Sequence, residues 1–154
     1  MKTYTAYYNS KIGLIEVTGT ETGILAVSFV ETATGKPAES HSYVQACVTQ
    51  LDEYFGGARQ EFSVNLILQG TDFQKQVWQQ LLKIPFGQTV SYLDIATALG
   101  KPSACRAVGS ANGKNPISIL IPCHRVLGTA GKLIGYGGGL WRKEWLLRHE
   151  KILF

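Results

Sequence analysis

A thiol, an imidazole and a guanidinium stand in consecutive positions at Cys123-His124-Arg125, directly behind Pro122. A thiol near cationic groups can ionise close to neutral pH, and the thiolate is the nucleophilic form. Pro122 fixes its own φ and biases Ile121 toward extended geometry, so the cysteine is presented on a stiff corner. The preceding run Ile117-Ser118-Ile119-Leu120-Ile121 reads as a buried strand or a stretch of core. Two other chemistries fail on spacing. A c-type haem site needs a cysteine at position 120, which is Leu120. A zinc site needs closely spaced ligands, but the cysteines stand at 47, 105 and 123. Adjacent side chains of an extended segment point to opposite faces. His124 can therefore activate Cys123 only if the chain turns there, or through a bridging water.

The elements that must position this corner divide into two parts. The 154 residues suffice for one medium domain or two small ones. Residues 1–66 carry four Lys/Arg and seven Asp/Glu, a balance of −3; residues 67–154 carry eleven and four, a balance of +7. A basic second half points to a polyanionic partner there. No stretch reads as a signal peptide or a bilayer span, and three cysteines without disulfide spacing fit a reducing cytoplasm.

The expected boundary gives an N-terminal α/β domain over 1–68 and a C-terminal domain over 69–154. In the first, Thr3–Tyr8, Gly13–Thr18 and Ile24–Val30 read as strands. Glu31–Ser40 reads as a loop, and Val44, Cys47, Val48, Leu51, Tyr54 and Phe55 lie at helical spacing. Phe62, Val64 and Leu66 alternate as in a half-buried strand. Cys47 reads as inert core and His41 as a surface residue near a helix start. In the second, Thr71-Asp72-Phe73-Gln74 and Ser91-Tyr92-Leu93-Asp94 are capping signatures. The second of these helices carries Leu93, Ala96, Ala98 and Leu99 and stops at Gly100. Ser103 is expected to cap a third helix running to Asn112. Two short helices joined by a glycine turn form a helix-turn-helix. The third helix bears little bulk, since Ala104, Ala107, Gly109, Ser110 and Ala111 leave Arg106 as its long side chain. Gly109 inside a helix costs about 1 kcal/mol relative to Ala. Tight packing or close approach to a duplex would compensate.

Residues 71–154 closely resemble the C-terminal domain of O6-alkylguanine-DNA alkyltransferases, the methylated-DNA–protein-cysteine methyltransferase family. Residues 1–70 resemble its N-terminal domain. The likeness rests on Phe86-Gly87-Gln88-Thr89-Val90-Ser91-Tyr92, Arg106-Ala107-Val108-Gly109, Asn115-Pro116, Ile121–Val126, Gly135-Tyr136 and Lys143–Leu147. It implies an α+β chain: a small RNase H-like domain followed by a mostly helical, winged helix-turn-helix-like domain. It implies alkyl transfer from O6-alkylguanine, and O4-alkylthymine, in double-stranded DNA to Cys123 after nucleotide flipping. His124 is then the base acting through water, Glu150 its orienter, Asn115 the brace of the turn, and Tyr92 the donor to the leaving purine. Leu146 and Glu150 stand four apart on the terminal helix, so a buried Leu146 carries Glu150 inward. The resemblance assigns DNA contacts to Ser103, Arg106, Ala107, Gly109, Ser110, Arg125 and Tyr92. It assigns the base pocket to Val126, Tyr136 and Gly137. Gly137 stands where many relatives carry serine, which implies a roomier pocket accepting groups larger than methyl. No metal or cofactor is implied, and the partner is lesion-bearing duplex DNA met by a monomer. A lesion-binding protein without transfer, a winged-helix regulator and a cysteine hydrolase are the competing readings.

Overall fold

The computed structural model describes residues 2–33 and 41–152. The chain divides into two compact units, 1–68 and 69–154. In the first, β1 (Tyr4–Ser10), β2 (Gly13–Gly19) and β3 (Ile24–Val30) form an antiparallel meander. Alternating residues Ile15 and Val17 of β2 are fully buried, as period-two geometry requires. They face α1 (Ser42–Phe55), whose Val44, Cys47, Leu51 and Tyr54 are also fully buried. Burial pushes the Cys47 thiol up to about 12, so it stays an inert core group. His41 is more than a surface residue. It caps α1, with Nδ1 accepting from the Tyr43 amide at 3.3 Å, and lies against the Tyr4 ring.

Most of the polar stretch expected as a loop, residues 34–40, lies outside the described residues. The strand expected over Phe62–Leu66 does not form. Only one parallel bridge, Ile24 to Leu66, joins it to the sheet. Gln50 of α1 occupies Ser63 instead, accepting from its amide and donating to its hydroxyl, both at 2.9 Å. That backbone is satisfied by a side chain, not by a ladder.

The second unit is mostly helical. It contains α2 (Asp72–Leu81), β4 (Val90–Ser91), α3 (Tyr92–Ala98), α4 (Cys105–Gly113), β5 (Val126–Leu127) and α5 (Leu140–His149). Thr71 and Ser91 close complete capping boxes with Gln74 and Asp94. Trp78 of α2 is 2% exposed and donates its indole N–H to the Ala111 carbonyl of α4 at 2.9 Å, fixing the end of α4. Leu93, expected on the packed face of α3, is 52% exposed; Ile95 and Ala96 make that face instead. Ser103 does not cap α4. It is exposed in the turn, and Ala104 stands at the cap position without a side-chain bond. Two parallel rungs, Val90 to Val126 and Ser91 to Leu127, stitch the start of α3 to the segment after Arg125. No described helix is long and apolar enough to cross a membrane.

Candidate active site

The chain turns at the nucleophile. The run Ile117–Ile121 is buried except at Ser118, but it bends rather than extends. Ile119 has φ 72°, a conformation that a β-branched residue adopts only under constraint. Pro122 (φ −79°, ψ 64°) makes an inverse γ-turn, with the Cys123 amide donating to the Ile121 carbonyl at 2.7 Å. A 3-10 turn over Cys123–Arg125 follows, and its three residues per turn spread the three side chains around the axis. Asn115 braces this corner. Its Nδ2 donates to the Ile121 carbonyl at 2.9 Å, and its Oδ1 accepts from the Ile117 amide at 3.0 Å.

Behind the turn lies a buried charge cluster. His124 Nε2 and Glu150 Oε2 are 2.6 Å apart, at 0% and 1% exposure. Glu150 caps α5 and is carried inward beside fully buried Leu146. Arg125 grips the same carboxylate, Nε to Oε1 at 2.8 Å and Nη2 to Oε2 at 3.1 Å, and its Nη1 reaches the Ile84 carbonyl at 2.6 Å. The Gly87 amide adds a longer bond to Oε1, at 3.3 Å. Arg125 was expected among the DNA contacts. It is instead turned into the protein, 6% exposed, because the buried Glu150 needs a bidentate counter-charge.

These contacts set the protonation states. Burial alone would raise the Glu150 carboxyl; the His124 and Arg125 donors outweigh it and hold it well below the usual carboxylate range. Burial pushes His124 below its ordinary value, against the pull of Glu150. A neutral imidazole next to a carboxylate keeps its proton on Nε2. The opposite nitrogen, Nδ1, is buried and has no hydrogen-bond partner in the protein, leaving a basic lone pair.

Cys123 is 5% exposed, and burial raises its thiol; Asn115 and Lys143 oppose that shift without overcoming it. The expectation of a thiolate near neutrality is thereby corrected. The resting group is the thiol, because desolvation outweighs the nearby positive charge. Tyr92 is half-buried at the start of α3, its hydroxyl 3.5 Å from the Ile134 carbonyl. Burial raises its phenol, and Cys123 adds to the effect. Tyr136 is raised well above its ordinary value by burial, with Cys123 adding and Ser118 opposing.

Gly135 has φ 63°, and a Cβ there would stand 3.1 Å from the Tyr92 hydroxyl. Gly135→Ala is expected to strain the loop and displace Tyr92, slowing the reaction of the site about 100-fold, a cost typical of a 1 Å misplacement. Single-turnover kinetics with unchanged far-UV dichroism would check it. Gly137 differs. A Cβ there meets only the Gly113 carbonyl at the end of α4, at an ordinary 4.0 Å, so a side chain fits at this position.

On α4, Arg106, Ala107 and Ser110 are exposed and Gly109 is half-buried. A cavity of about 400 Å³ runs between α3, α4 and the loop after β5, lined by Tyr92, Arg106, Gly109, Ala130 and Ile134 among others. Two further residues join the site to which motif reading gave no role. Asn112, 3% exposed, lies with Nδ2 3.5 Å from the Cys123 carbonyl, and its Oδ1 has no partner. Lys143, fully buried, lies under Val126. Each left a signal: a polar residue on an apolar stripe, Asn112 with Val108 and Ala111, and Lys143 with Leu146 and Leu147. Among the described residues, no three His, Cys, Asp or Glu side chains converge as metal ligands.

Residues 72–152 match the model of the 6-O-methylguanine DNA methyltransferase DNA-binding domain. Residues 3–68 match that of the 6-O-methylguanine DNA methyltransferase ribonuclease-like domain. The chain belongs to the methylated-DNA–protein-cysteine methyltransferase family. A methyltransferase of this name from Mycobacterium bovis is 47% identical over 148 residues, covering 93% of this chain and 89% of its own. That of Methanosarcina barkeri is 46% identical, covering 94% and 97%. The Mycobacterium tuberculosis OGT, solved in complex with DNA, superposes with a TM-score of 0.86 at 46% identity, covering 97% and 92%. As a methylated-DNA–protein-cysteine methyltransferase, the chain repairs alkylated DNA, and DNA is its partner. The expected α+β architecture, a ribonuclease-like domain before a helical DNA-binding domain, is the one observed.

Proposed function

We propose that Cys123 accepts the alkyl group of O6-alkylguanine, and of O4-alkylthymine, once per molecule, from a nucleotide flipped out of the duplex. The observation that carries this reading is the relay: a buried thiol beside His124, whose Nε2 is tied to Glu150 and whose Nδ1 is unpartnered. In the proposed step the thiol proton passes to Nδ1 through a water, and Sγ attacks the alkyl carbon in line. The S–C bond forms as the C–O6 bond breaks, and the electron pair leaves with the purine. Tyr92, kept protonated by burial, supplies a proton to the departing base, which keeps the leaving group neutral. The product is a thioether that water does not readily hydrolyse, so the protein is consumed.

The DNA-facing side is assigned to α4. Its exposed face carries Arg106, Ala107 and Ser110. A Cβ at Gly109 would make only ordinary contact with the Tyr92 ring, at 3.9 Å, so internal packing does not demand glycine there. Close approach to a duplex supplies the reason for a helix this thin. A minor groove about 6 Å wide admits little more than backbone. Arg106, on the cavity rim beside Tyr92, is placed to fill the gap left by the flipped base.

Duplex DNA carrying an O6-[methyl-³H]guanine tests the reading. Label is expected to move to the protein, one methyl per molecule, and to be recovered on the peptide containing Cys123. Tight binding of the lesion without movement of label would instead make the chain a lesion-binding protein.

A further inference from the structure

Several buried polar groups play no part in the proposed mechanism. Lys143 stands out among them. Its ammonium is fully buried, yet among the described residues it makes no ion pair. It donates to three backbone carbonyls, Val126 and Ile134 at 2.6 Å each and Gly135 at 3.2 Å. An ammonium has three donors, and here all three are spent on main chain. The three acceptors come from two places. Val126 belongs to β5, which directly follows the nucleophile turn. Ile134 and Gly135 open the glycine-rich loop that faces Tyr92, as the contact at Gly135 shows. The loop has no ladder to hold it. No strand runs from Gly128 to Gly139, and among the described residues its backbone bonds to the rest of the unit are few.

The geometry points to Lys143 as a positioning residue that clamps the substrate-facing loop onto the strand beside the nucleophile, and so fixes the width of the base slot. This rests on the proposed alkyl transfer. The carbonyls of Val126 and Ile134 both point at one ammonium, which sets the separation of the two segments that carry them. A planar guanidinium cannot reproduce a tripod of this shape. An apolar side chain would take this donor from the buried Val126 carbonyl and from the part-buried carbonyls of Ile134 and Gly135. The titratable groups that feel the ammonium are Cys123 and His124 on the 3-10 turn. Its helical neighbours are engaged elsewhere, Arg142 with the Gly138 carbonyl and Glu144 with Arg148. Burial lowers the ammonium to about 8, with Cys123 opposing, so the clamp weakens above that pH. A neutral amine has two donors for three carbonyls.

The test uses the full chain in single-turnover transfer from O6-methylguanine duplex. Lys143→Met is expected to lower the limiting transfer rate about 100-fold, the cost of a misplacement near 1 Å. Lesion-DNA affinity should stay within about twofold, because α4 is untouched. Lys143→Arg should recover little of the loss. The wild-type rate should rise with pH and then fall above about 8; Lys143→Met should lose the fall. Amide exchange should accelerate at residues 134–139 while the 1–68 unit stays protected. A Lys143→Met protein that transfers at the wild-type rate, or loses rate only in step with lost folded fraction, overturns the clamp. Failure of the wild type to take up label overturns the transfer reading instead.

Discussion

Glu150→Gln is expected to cut the rate of alkyl transfer about 10³–10⁴-fold while leaving lesion-DNA binding nearly intact, by analogy with loss of the carboxylate in a nucleophile–base–orienter triad. The reason lies in one proton. Glu150 is an acceptor only, so it fixes the His124 proton on Nε2 and leaves Nδ1 bare. A glutamine amide can turn its NH₂ toward the ring and stabilise the opposite tautomer. Nδ1 then carries the proton and cannot take one from the thiol. The effect is large because the thiol is buried and held high, so little thiolate forms without help. Rapid-quench transfer assays read the rate, and nitrogen-resolved NMR of His124 reads the tautomer. Wild-type transfer with His124 still protonated on Nε2 would show that the carboxylate does not govern the base.

Arg125→Met should destabilise the protein by about 3–5 kcal/mol, the loss typical when one partner of a buried ion pair is removed. That is a large share of a stability near 5–15 kcal/mol. Three donors leave at once. Glu150 keeps His124 and the distant Gly87 amide, and the Ile84 carbonyl loses the Arg125 donor. The acid limb should change as well. In the wild type the Glu150 carboxyl is depressed below its ordinary 4.5, so its contribution is complete above that pH and lost as pH falls toward the depressed value. His124, lowered from 6.5, acts in the same sense, since the unfolded chain takes up its proton first. Wild-type stability should therefore decline from about pH 6.5 downward. Without Arg125 the carboxyl titrates nearer its ordinary value, and the limb below 4.5 should flatten. Denaturant melts across that range measure both. The salt slope of DNA binding should not move if Arg125 touches no phosphate. A slope reduced by about one would return it to the DNA face.

Much of this fold was legible because the signals were local. Alternation gave the three strands, capping boxes gave α2 and α3, and a glycine turn gave the helix pair. Where the reading failed, the backbone had found a competing partner. Gln50 took the Ser63 amide that a strand would have paired, and Leu93 lost its place on the packed face to Ile95. At the site, the family resemblance, not spacing alone, named Cys123, His124, Glu150 and Asn115. It misdirected Arg125, since no local pattern tells a guanidinium facing phosphate from one facing a buried carboxylate 25 residues away. It included Lys143 in a motif without giving it a role, because its three acceptors are carbonyls and carry no side-chain signature.

The bond from the Trp78 indole to the Ala111 carbonyl gives the molecule an optical gauge of its own. An indole's emission responds to the dipole of the group it is bonded to, and here that group sits on the helix assigned to the duplex. Lodging or release of DNA on α4 would register as a wavelength shift, with no dye attached.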